Sequence, residues 1–116
     1  MIKNIFVTFD FGMKGDYDGL FKWLDENNAE ERGYGVARIP SYNLDKNITT
    51  DLAVLKSVRE TLKERINIGN SDRIYLMWPS LEKKSLAAGF AFGKQKQAPW
   101  EGFAHNTEDK LDIEFE

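Results

Sequence analysis

The run Ile5-Phe6-Val7-Thr8-Phe9-Asp10 constrains the fold more than any other stretch of the chain. β-branched and aromatic residues follow one another almost unbroken and end on a carboxylate, which is the pattern of a strand covered on both faces and central in its sheet. The rest of the chain must then supply strands for both of its sides and a layer to cover it. Gly12, Gly15 and Asp16 punctuate next, and Asp16 is placed to cap a helix whose apolar positions Tyr17, Leu20, Phe21 and Leu24 fall at i, i+3, i+4 and i+7. Asn27-Asn28 ends that helix. Residues 33–39 return to an extended pattern before Pro40, which stops the strand or sets it at an edge.

Residues 41–50 form a loop with room for a short strand around Tyr42 and Leu44. Thr49 or Thr50 then caps a second helix, with Asp51 near the positive end of its dipole. Leu52, Leu55, Val58 or Arg59, Leu62 and Ile66 mark its buried stripe, and Gly69-Asn70 closes it. Residues 73–78 read as a mostly buried strand ended by Pro79, and residues 86–92 suit a hairpin partner for it. Residues 111–115 alternate strictly and could add an edge strand. Two helices interleaved with strands in this order predict an α+β fold, a ferredoxin-like two-layer sandwich with both helices on one face of an antiparallel sheet. An open parallel sheet is the competitor, because the second helix could also serve as a right-handed crossover.

At 116 residues the chain is sized for one domain, read here as residues 1–106 followed by an acidic tail, 107–116. The absence of cysteine excludes disulfides, thiolate zinc sites and cysteine nucleophiles, and the single histidine, His105, excludes multi-histidine metal sites within one chain. No apolar run approaches the roughly 20 residues of a membrane span, and the opening residues lack the features of a secretory signal. A cytoplasmic protein that does not enter a membrane is expected. Gly93-Lys94 lacks the spacing of a phosphate loop, and neither Ser80 nor Ser85 has the context of a hydrolase nucleophile.

Two constellations remain. Asp10 closes the opening strand beside Asp16, and magnesium asks for only one or two carboxylates, so Asp10 and Asp16 are candidate metal ligands. Two subunits sharing their Asp10 residues could hold one ion for phosphodiester hydrolysis. The same two side chains could instead satisfy loop amides and cap the helix. The second constellation is basic and aromatic. Lys83, Lys84, Lys94 and Lys96, with no acid between them, and Trp100 could meet the phosphates and bases of single-stranded RNA or DNA. Phe90 and Phe92, two residues apart, read as one packed strand face. Beyond them Glu101, Glu108, Asp109, Asp112, Glu114 and Glu116 face Lys110 alone, so a chain of net charge -3 concentrates its negative charge at its end.

The element order, with Phe6-Val7-Thr8-Phe9-Asp10 and a helix beginning at Tyr17, resembles the small ferredoxin-like family that includes the second CRISPR-associated protein and virulence-associated protein D. In that family a hydrophobic first strand ends in an aspartate after an aromatic residue, as Phe9-Asp10 does, and residues 73–78 look like its strand after the second helix. The resemblance spans residues 3–78. It implies a homodimer, association with nucleic acid and, in some members, magnesium-dependent phosphodiester cleavage with the strand-end aspartate, here Asp10, as ligand. The paired arginines that often follow the first strand are missing, and a sequence pI near 5.2 is low for a phosphate-binding surface. The rival expectation is a non-catalytic interaction protein that docks onto a protein partner through its acidic tail, as a regulator or inhibitor in phage defence or counter-defence.

Overall fold

A computed structural model describes residues 1–95, 100 and 102. In chain order the elements are β1 (Ile2–Asp10), α1 (Tyr17–Glu26), β2 (Glu30–Gly33), β3 (Val36–Tyr42), α2 (Asp51–Arg65), β4 (Arg73–Pro79) and β5 (Leu86–Phe92). The five strands form one sheet in the order β2-β3-β1-β4-β5, and every neighbouring pair is antiparallel. The architecture is the α+β sandwich expected, a ferredoxin-like βαββαβ unit with β5 added beyond β4. The parallel alternative does not occur.

β1 is central, yet it is not covered on both faces. Ile5 and Val7 point into the core, whereas Phe6 is half-buried and Thr8 exposed. Alternation continues across the sheet, so that Ile39, Ile74, Leu76, Trp78, Ala87 and Ala91 face the helices. The helical layer answers with Leu20, Trp23 and Leu24 of α1 and Val54, Leu55, Val58 and Leu62 of α2. Burying side chains of this size stabilises by roughly 1.5–3 kcal/mol each, which makes this single layer the main source of stability. α2 lies against β5, whose inward residues Ala87, Gly89 and Ala91 are small enough to let the helix approach.

The inward set of α1 differs from the expected stripe. Trp23 takes an inner place, while Tyr17 and Phe21 are 37% and 50% exposed. In α2, Val54 is buried and Leu52 exposed. Val58 is buried, and Arg59 is the residue that reaches the sheet: it donates to the Ala91 carbonyl at 2.7 Å and lies 4.7 Å over the Phe92 ring. Residues 33–39 are not one strand, because a turn at Tyr34-Gly35 divides the stretch into the β2–β3 hairpin. Pro40 does not end β3, which runs on to Tyr42. β2 pairs only as far as Arg38, so the missing N–H of Pro40 deprives no neighbour on that side. Phe90 and Phe92 do not share a face. A register irregularity opposite Ile74 and Tyr75 turns Phe92 toward the helices and leaves Phe90 on the open side.

Lys96, His105, the tail 107–116 and the expected strand at 111–115 lie outside the described residues. Among the described residues, no helix is long and apolar enough to cross a membrane.

Candidate functional site

Asp10 ends β1 directly opposite Arg73 of β4, and the two side chains form an ion pair. The Asp10 side chain is 63% exposed and that of Arg73 25%. Gly93, at φ +87°, passes so close over Arg73 that an added Cβ would lie 2.5 Å from Arg73 Cγ. The chain leaving β5 therefore packs over the arginine stem, whose guanidinium pairs with Asp10.

Asp16 does cap α1. One carboxylate oxygen accepts from the Gly19 amide at 2.9 Å, and the other from the Asn67 amide at 3.0 Å. These bonds, that from Asn67 first, hold the carboxyl below its usual range. Both Asp16 oxygens are thus engaged with backbone, and one oxygen of Asp10 is engaged by Arg73. Asp10 and Asp16 do not present a ready-made ligand set, and among the described residues no three acidic or histidine side chains gather closely enough to hold a metal ion.

The basic candidates are divided. Lys83 and Lys84 are exposed in the turn between β4 and β5, and Lys94 is exposed just past the other end of β5. A seven-residue strand separates the two groups by roughly 20 Å. Trp100 is 73% exposed.

Four features that bear on function were not foreseen. Asp51, read as a dipole complement, is buried at 6% exposure and accepts from Trp78 Nε1 at 3.1 Å, Ser80 Oγ at 2.6 Å and the Leu81 amide at 2.9 Å. Burial works against its charge, but the bonds from Ser80, Leu81 and Trp78, with Lys83 nearby, outweigh it and hold the carboxyl below its usual range. Asp72, 4% exposed, accepts from the Gly12 amide at 2.9 Å and the Gly69 amide at 2.7 Å, fastening the loop after β1 to the loop before β4.

The third feature is the sheet face turned away from the helices. Phe6 lies opposite Met77, Tyr75 opposite Phe90, and Met77 opposite Ala88, which makes a continuous half-buried apolar surface over β1, β4 and β5. The Tyr75 and Phe90 rings meet edge to face at 4.8 Å. Arg38 sits opposite Phe6 and is oriented by Asn4 Oδ1 and Glu30 Oε1, each at 2.8 Å.

The fourth is a cleft of about 490 Å3 between the start of α1 and the β2–β3 hairpin. Its walls include Phe9, Phe11, Tyr17 and Phe21, and among the described residues Asp10, Glu30 and Glu31 are the charged ones that line it. Phe9 at the strand end and Tyr17 and Phe21 at the helix start were the available signal; read as strand and as helix stripe, they concealed the cleft. Comparison of the chain with protein-family models, with curated proteins and with solved structures finds no match.

Proposed function

We propose that the protein is a homodimeric, nucleic-acid-associated protein that lays a single strand across the open face of its sheet. The observation that carries this reading is the continuous surface made by Phe6, Tyr75, Met77 and Phe90 on adjacent strands. Every base has a π-face, so aromatic side chains standing on a sheet accept successive bases with little regard to sequence. Arg38 beside Phe6, and Lys83, Lys84 and Lys94 at the two ends of β5, supply cations along the path of a backbone. Lys96 and Trp100, which follow Lys94 in the sequence, are assigned the same role.

Anisotropy titrations with short single-stranded RNA and DNA test this reading. Phe6→Ala and Phe90→Ala are each expected to weaken binding roughly tenfold, and affinity is expected to fall steeply with added salt. No binding at low salt, or binding that neither substitution affects, would overturn it.

Magnesium-dependent cleavage is a second reading, favoured by the exposure of the Asp10 side chain at the end of the central strand. In it Asp10 exchanges Arg73 for the ion, and the ion would polarise a phosphodiester. Cleavage retained by Asp10→Asn would remove that residue from the role.

A further inference from the structure

The cleft beside α1 shares Asp10 with the second of those readings and otherwise has no part in them. We infer that it is a binding site for a methylated ammonium ion. Its volume of about 490 Å3 falls within the roughly 300–1,000 Å3 of small-molecule sites. The rings of Phe9, Phe11, Tyr17 and Phe21 form a chain of neighbours with centroids 5.3–6.3 Å apart and planes inclined by 43–69°, so they stand as walls at angles to one another and not as a stack. Phe11 is buried at 7% and Phe9 packs against the core, whereas Phe21 is 50% and Tyr17 37% exposed, so one side of the group faces solvent.

Charge selects the ligand. Asp10, Glu30 and Glu31 line the cleft, and among the described residues no basic one does. Arg73 already occupies Asp10, and Arg32 and Arg38 occupy Glu30. Both carboxylate oxygens of Glu30 and one of Asp10 are therefore engaged by arginine. Glu31 lines the cleft and forms no ion pair among the described residues. A methylated ammonium carries positive charge on an apolar skin and needs what is present: aromatic walls and one nearby anion.

The test is an amide-detected NMR titration of the full chain with tetramethylammonium chloride, against sodium chloride and guanidinium chloride at equal ionic strength. Saturable shifts are expected for residues 9–11, 17–24 and 30–37 with tetramethylammonium alone. Phe21→Ala, at an exposed helix position, is expected to weaken binding at least roughly threefold, and Glu31→Gln by a smaller factor. Choline and a trimethyl-lysine peptide, titrated separately, distinguish a free small molecule from a polypeptide side chain as the source, and saturation by either supports the site. Shifts no larger than those from sodium, tighter binding of guanidinium, or undiminished binding by a folded Phe21→Ala would overturn the inference. None of these outcomes bears on nucleic-acid binding through Phe6 and Phe90.

Discussion

Asp51 joins local structure to tertiary structure. Its three donors lie 27, 29 and 30 residues further along the chain, so one carboxylate fixes the start of α2 to the end of β4 and the turn beyond it. Asp51→Ala would leave the Trp78 indole N–H buried without a partner, along with the Leu81 amide and Ser80 hydroxyl. A loss of about 2–4 kcal/mol in urea denaturation is expected. The pH dependence follows from the direction of the shifts. Asp51 and Asp16 both have folded-state values below the ordinary 3.8, so their contribution is complete above that value and is lost as pH falls through the lower folded-state values. Stability from these two groups is therefore flat near neutrality and declines in acid below about pH 4, and Asp51→Ala should flatten the decline in a series of urea melts across that range. The cap at Asp16 was legible in the sequence because its Gly19 partner is three residues away. The Asp51 site was not, because nothing local distinguishes a carboxylate facing water from one met by a distant indole.

At the scale of elements, legibility followed the source of stabilisation. β1, both helices, β4 and β5 bury apolar side chains and so announce themselves, the helices by period and the strands by their runs of apolar residues. β2 (Glu-Glu-Arg-Gly) buries almost nothing; backbone pairing to β3 and the bonds of Glu30 to Arg32 and Arg38 hold it, and no hydrophobic pattern betrays such a strand. The hairpin turns on Gly35, whose φ of +71° suits glycine and whose carbonyl accepts from the Phe9 amide at 2.9 Å. A Cβ there would lie 2.8 Å from the Phe9 carbonyl oxygen. Gly35→Val is expected to cost about 1–3 kcal/mol, and to speed hydrogen exchange in β2 and β3 before the helices are affected. The open sheet face was misread for a related reason. Phe6, Tyr75 and Phe90 each look like core residues in sequence, and only the location of both helices on the other side leaves them half-buried.

For the whole molecule, the acidic residues 101–116 give the protein-partner alternative a definite form. Removal of residues 107–116 is expected to leave the thermal midpoint within a few degrees and to raise affinity for single-stranded RNA, because like charge is withdrawn from the same molecule. Loss of a protein partner on the same deletion, with RNA affinity unchanged, would favour docking through the tail. β2 and β5 are the outer strands of the sheet, and sedimentation at several concentrations is expected to give a dimer. The central place of β1 also sets an order of events. Its ladder with β3 closes within the first 42 residues, but its other ladder waits for residues 73–79, with Asp10 and Arg73 separated by 63 positions. A ribosome-bound chain that has not yet released β4 thus holds its central strand with one flank unzipped, and assembly is governed by that late, long-range closure.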